Sequence, residues 1–179
     1  LDLVVQRFRA TTIGPGSEDP DLGPLVSAKQ QRRVEGFMDD LAGGELLVGG
    51  SRPDDDRLAA GAYFSPTLVH GVDPQGRLAQ EEVFGPVIAS MTFDDEEEAV
   101  TLANATAYGL LAAVWTRDLS RGHRLASALR AGQVFVNNYG AGGGVELPFG
   151  GWGKSGYGRE KGVEALDAFT QTKTVVVKL

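Results

Sequence analysis

The chain has no cysteine and, among its 179 residues, only two histidines, two methionines and two tryptophans. Lack of cysteine excludes disulfides, thiolate metal sites and a cysteine nucleophile carried by the chain itself. His70 and His123 stand in unrelated segments, which argues against a zinc site built on paired histidines; no metal is expected. Long apolar runs are lacking too, and nothing approaches the ~20 residues of a membrane-spanning helix. The opening LDLVVQRFRA is interrupted by charge and followed by no cleavage site, unlike a signal peptide. Excess positive charge is also missing. The net charge of −7 argues against nucleic acid or an anionic membrane as partner, and a cytoplasmic location is the default expectation.

A hydrophobic content of 42% and a charged content of 23% describe an ordinary globular chain with enough residues for a core. Leu1, Val4, Val5 and Phe8 fall on one helical face with no capping residue before them, so the chain is expected to begin inside a larger protein. Ser27 and Gln30 have the spacing of a capping box, and Val34, Phe37, Met38 and Leu41 form the apolar face of the helix that follows. ELLVGG, YFSPTLVHGV and the stretch from Val87 to Phe93 read as extended segments. Asp94 or Asp95 opens a helix with an acidic first turn, which suits the positive end of the helix dipole. LLAAVWT reads as a strand buried on both faces, Ser120 as the cap of the next helix, and QVFVNN as another strand. A helix over Val163–Phe169 and a final strand, KTVVVKL, close the pattern. Alternation of strands and helices from Val87 onward predicts an α/β fold with a mostly parallel sheet and flanking helices. Asp54, Asp55 and Asp56 read as a solvated turn, since the rest of a calcium-loop spacing is missing.

LPFGGWGKSGYGRE, Leu147 to Glu160, imitates two phosphate-binding motifs. A P-loop needs a glycine five positions before Gly153, and Pro148 stands there. Gly151, Gly153 and Gly156 fit G-x-G-x-x-G, but about a dozen residues separate them from the preceding strand, and the strand after them carries no acid. The glycines are therefore expected to serve backbone geometry rather than phosphate.

Taken together, GPLVSAKQ, EEVFGPV, NATAYGLLAAVWTRDL, GQVFVNN and LPFGGWGKSGYGRE occur in an order and at spacings that resemble the aldehyde dehydrogenase superfamily, and KTVVVKL resembles that family's C-terminal strand. The resemblance runs from about Gly14 to Leu179 and implies the C-terminal part of a catalytic domain over 1–171, with an oligomerisation strand over 172–179. It implies NAD or NADP as cofactor, an aldehyde as small-molecule substrate and a homo-oligomer as the assembly. The family's chemistry is thiolate attack on the aldehyde, hydride transfer to the cofactor and hydrolysis of a thioester. It needs an activated thiol, oxyanion donors and a carboxylate that activates water. In the family these groups precede the region matched here.

Carried over by motif, Glu82 matches the carboxylate that accepts from the nicotinamide ribose, and Phe84 the residue packing near the nicotinamide. Gln30 and Arg33 match positions near the cofactor in some members. Phe149 matches the aromatic wall of the aldehyde tunnel, with Glu146 and Leu147 at its mouth, and Tyr139 to Val145 the variable segment that shapes substrate choice. Glu160 matches a carboxylate near the active site, with proton transfer or a structural ion pair as its two readings. The resulting expectation is a fragment of an NAD(P)-dependent aldehyde dehydrogenase that is inactive alone. The alternatives are a stand-alone binding or assembly module, or one half of a split enzyme.

Overall fold

The computed structural model describes residues 1–41, 43–140 and 144–179. They form two compact units, Leu1–Asp94 and Asp95–Leu179.

In the first unit, helix α1 (Asp2–Arg9) leads to α2 (Ala28–Met38) through a long connection that holds a 3-10 turn over Gly16–Glu18 and a bridge between Ile13 and Leu22. Strand β1 (Glu45–Val48) follows, then β2 (Thr67–His70), the single-turn helix α3 (Arg77–Gln80) and β3 (Val87–Ser90). The sheet order is β1-β2-β3, with β1 antiparallel to β2 and β2 parallel to β3, Thr67 facing Val87 and His70 facing Ser90. The core joins α2 to the sheet: Val34, Phe37, Phe64, Val69, Val72, Leu78 and Val83 form one buried cluster, with Met38 and Leu41 packed at its margin. This is the apolar face expected for α2. Buried Gln31 is satisfied by donating its amide to the Tyr63 carbonyl at 2.8 Å. Arg33 and Arg77 lie over the Phe37 ring, at 5.2 and 3.9 Å from its centroid.

The capping box at the start of α2 is only half formed. Ser27 Oγ accepts from the Gln30 amide at 3.2 Å, but the Gln30 side chain does not return to Ser27. It reaches instead to the carbonyls of Val83 and Phe84. Near α1, Asp21 accepts from the backbone and hydroxyl of Thr12 and pairs with Arg7 at 3.2 Å. The aspartate turn is solvated as expected: Asp55 caps a 3-10 turn over Asp56–Leu58 and pairs with Arg57 at 2.7 Å.

In the second unit, α4 (Glu96–Ala103) is capped by Asp95, whose carboxylate accepts from the Glu98 amide at 2.8 Å. Strand β4 (Leu111–Val114) pairs in parallel with β5 (Gln133–Val136) through α5 (Leu119–Ala128), which packs on both. The cap of α5 is Asp118, not Ser120. Extended at Asp118, the chain presents that carboxylate to the Arg121 amide at 3.0 Å, whereas Ser120 already lies inside the first turn. All four residues of β4 are half-buried rather than fully enclosed, because its sheet has two strands here. Helix α6 is one turn, Ala165–Ala168, within the longer helix expected. Residues 170–179 adopt no strand in the single chain and are exposed, Val176 at 87%. Among the described residues no helix is long and apolar enough to cross a membrane, and no group of acidic or histidine side chains is arranged to hold a metal.

Glu96 sits between two arginines, with Arg124 at 2.9 Å and Arg121 at 3.3 Å. The Arg124 hydrogen bond, followed by the charges of Arg124 and Arg121, holds its carboxyl below the ordinary value of 4.5. A depressed folded pKa contributes stability above the unfolded pKa and loses it as pH falls through the folded one. Glu96→Gln is expected to lower Tm at neutral pH, with the difference from the parent shrinking below about pH 4, as thermal melts across an acid series would show.

Candidate functional site

In the first unit the candidate residues gather where β3 is entered. The segment Glu81–Pro86 is a turn trapped between α2 and the sheet. Val83 is buried in the core, and the Pro86 carbonyl accepts from the Thr67 amide at 2.8 Å where β2 begins. Gly85 passes so near α2 that a Cβ there would lie 2.6 Å from Val34 Cγ2, so a side chain at this position would lift the turn off the helix. Phe84 holds a left-handed backbone, φ 56°, which costs a non-glycine residue energy and persists only when its surroundings impose it. Its ring is 65% exposed.

Three consecutive carbonyls of this turn accept from side chains of α2. Arg33 Nη2 donates to Glu82 O at 3.0 Å, and Gln30 Nε2 donates to Val83 O and Phe84 O, each at 2.9 Å. Glu81 pairs with Arg33 at 3.6 Å and Arg77 at 3.4 Å, while the exposed Glu82 carboxylate has no recorded partner among the described residues. An exposed carboxylate and an exposed aromatic ring two residues apart on one braced turn can accept a pair of hydroxyls and offer a packing surface. Gln30 and Arg33 also line an open groove of about 570 Å³ with Val26, Ser27, Lys29 and Arg32.

In the second unit the glycine-rich loop folds back on itself. Phe149 and Glu160 form an antiparallel bridge with reciprocal 2.7 Å backbone hydrogen bonds, so the two residues singled out at its ends are brought together. Gln133 donates to Pro148 O at 3.0 Å, and Arg159 braces the loop through the carbonyls of Gly151 and Gly158. Phe149 is half-buried, with Lys161 Nζ 5.6 Å from its ring centroid. Glu146, Leu147 and Glu160 are exposed. Of the variable segment, residues 141–143 lie outside the described residues.

The phosphate-loop resemblance fails structurally as it does by spacing. The amides of Trp152 and Lys154 donate to Gly109 O at 2.9 Å and Ala107 O at 2.8 Å, and those of Ser155 and Gly156 to Trp152 O and Gly153 O. Ser155 Oγ accepts from the Gly109 amide at 3.1 Å. Four donors of the region that a phosphate cradle would need are therefore already engaged, two on the neighbouring turn and two within the loop. Close approach explains the glycines: a Cβ on Gly132 would collide with the Gly150 carbonyl oxygen, and one on Gly153, at φ 59°, with that of Ala107.

Sequence reading passed over Asn137 as a structural lock. It takes φ 54°, and its amide both accepts from the Thr116 N–H and donates to the Thr116 carbonyl, each at 2.8 Å. The exits of β4 and β5 are thereby tied together just before the variable segment. An asparagine ending a strand was the available signal, because asparagine tolerates the left-handed region and its amide imitates a peptide.

The profile of the aldehyde dehydrogenase family matches residues 1–175. The chain is 41% identical to 4-trimethylaminobutyraldehyde dehydrogenase A of Danio rerio, over all of this chain and 36% of that protein, and 41% identical to 4-trimethylaminobutyraldehyde dehydrogenase of Rattus norvegicus, over 98% of this chain and 36% of that protein. Its structure is similar to betaine aldehyde dehydrogenase from Staphylococcus aureus in complex with NAD+, with a TM-score of 0.88 and 37% identity over 94% of this chain and 34% of the other. It thus spans about a third of the length of these relatives.

Packing at the loop's crossing point yields a direct test. Gly132→Ala is expected to destabilise the protein by about 1–3 kcal/mol through overpacking. Gly16→Ala, where a Cβ meets open space, should stay within about 0.5 kcal/mol of the parent in urea titrations.

Proposed function

The chain belongs to the aldehyde dehydrogenase family, and on that premise we propose that the protein of which it is part oxidises an aldehyde to a carboxylic acid with NAD+ or NADP+. One water is consumed, and reduced cofactor and a proton are released. The observation that carries this reading for the chain's own residues is the braced Glu82–Phe84 turn. Its unpaired carboxylate suits the vicinal hydroxyls of a nicotinamide ribose, and its exposed ring suits the flat nicotinamide. When bound, the cofactor supplies the acceptor for the aldehyde's hydride. Glu82 and Phe84 orient that acceptor, and their work is positional. Phe149, with Leu147 and Glu146 beside it, forms part of the aldehyde's passage, and the bridge to Glu160 holds the Phe149 backbone. Since the chain contains no cysteine, the thiol nucleophile would come from another part of the protein, and this chain by itself would be inactive. Residues 172–179 would pair with another copy of the chain. Their exposed valines and unpaired backbone favour that reading over a solvated tail.

In the whole protein, Glu82→Gln keeps the shape but replaces one acceptor oxygen with a donor. It is expected to raise KM for the cofactor and lower kcat/KM by roughly tenfold to a hundredfold, equivalent to about 1.4–2.7 kcal/mol. Steady-state kinetics with NAD+ and NADP+ would measure this, and parent-like constants would refute the role of Glu82.

An aldehyde bearing a trimethylammonium group is the more specific substrate reading, because the relatives named above carry such substrates in their names. The Phe149 ring already has a cation at 5.6 Å in the chain's own Lys161. Comparing a trimethylammonio aldehyde with its uncharged tert-butyl analogue should show a kcat/KM preference of about fivefold or more for the cation, the scale of one cation–π contact.

A further inference from the structure

We propose that Gln30 and Arg33 are positioning residues that clamp the Glu82–Phe84 turn and so fix the Glu82 carboxylate, rather than ligands of the cofactor themselves. This rests on the reading of Glu82 as the ribose acceptor.

For Gln30 the geometry separates holding the turn from touching a ligand. A glutamine amide has two N–H groups, and Gln30 gives both to the turn, one to Val83 O and one to Phe84 O, each at 2.9 Å. Both partners are carbonyl oxygens, which assigns the Gln30 nitrogen to this side of the amide. Only its oxygen remains, and an acceptor has little to offer a ribose already served by a carboxylate. Arg33 spends Nη2 on Glu82 O at 3.0 Å, pairs with Glu81 at 3.6 Å and stacks over Phe37 at 5.2 Å.

Such a clamp answers a need of the turn. The carbonyls of residues 82–84 precede β3 and are outside the sheet ladder, which starts at Val87. Phe84 is held at φ 56°, a conformation that an unrestrained phenylalanine leaves. Beneath the turn, Val83 is anchored in the core and Gly85 lies against Val34. Without bonds to α2 the turn would keep these two anchors but lose the restraint on the peptides flanking Phe84 and Glu82. A carboxylate displaced by about 1 Å loses much of a paired hydrogen bond.

The test uses the whole protein with NAD+ as probe, and the variants Gln30→Glu, Arg33→Lys, Glu82→Gln and the double variant Gln30→Glu/Glu82→Gln. Gln30→Glu preserves shape while setting carboxylate oxygens against two carbonyls. Amide hydrogen exchange over residues 81–87 and steady-state constants are read together. We expect Gln30→Glu to speed exchange in that segment several-fold, leave β2 protected and raise KM for NAD+ about tenfold. Arg33→Lys, which keeps a donor, should change both by less. The double variant should be no worse than Glu82→Gln alone, because a clamp acts only through the carboxylate it holds. A raised KM with unchanged exchange, or additive losses in the double variant, would make Gln30 a ligand and overturn the proposal. Faster exchange with an unchanged KM would overturn it too. The ribose reading fails separately, if Glu82→Gln alone leaves KM and kcat for NAD+ unaltered.

Discussion

Helix α2 packed on the β1-β2-β3 sheet is the contact on which the first unit depends. Val34 and Phe37 are almost completely excluded from solvent, and Phe64, Val69 and Val83 close around them. Burial of each such side chain contributes on the order of 2 kcal/mol, and together they place the helix at a set distance from β3. At that distance Gly85 fits against Val34 and nothing larger does. Once the helix is seated, its next outward positions, Gln30 and Arg33, reach the turn entering β3 and take up three carbonyls that no strand partner satisfies. Core packing, a glycine and two polar side chains therefore converge on one short turn. It is the turn that carries Glu82 and a strained Phe84.

The second unit solves a different problem with the same economy of backbone. Its glycine-rich loop crosses Gly132 at a distance that admits no side chain, and the amides of Trp152 and Lys154 donate to the carbonyls of Gly109 and Ala107. Two phosphate-like motifs coincide on this stretch because phosphate cradles and close backbone crossings both need glycine. What separates them is the fate of the N–H groups, and here those of Trp152, Lys154, Ser155 and Gly156 are consumed internally. The crossing leaves Phe149 and Glu160 opposite each other, with Lys161 over the ring. Surface electrostatics are local: half-buried Glu96 with its two arginines and exposed Asp21 with Thr12 and Arg7 tie neighbouring segments.

Much was legible in the sequence. The apolar spacing of Val34, Phe37, Met38 and Leu41 identified the buried face of α2, since helical period and burial are linked by geometry alone. Local preferences narrowed the cap of α4 to Asp94 or Asp95, of which Asp95 takes the role, and gave the alternation from β3 to β5, whereas KTVVVKL forms no strand in the single chain. Local rules failed where two chemically similar residues competed for one role. Ser120 and Asp118 are both capping types, and the choice fell to Asp118 because the chain is extended there. LLAAVWT promised full burial, yet burial depends on how many layers cover a strand, which a strand's own residues do not state.

By itself, the sequence determined the family, the alternation of strands and helices from β3 to β5, the motif positions of Glu82, Phe84, Phe149 and Glu160, and the absence of a thiol. Each of these is a property of residue type and spacing along one dimension. Only the tertiary structure decided that Gln30 leaves its capping box for carbonyls 53 and 54 positions away, that the amides of Trp152, Lys154, Ser155 and Gly156 are already occupied, and that Asn137 locks two strand ends. The physical reason is common to all three. A polar side chain or amide takes the partner that folding brings within about 3 Å, and that choice is made by packing between distant segments.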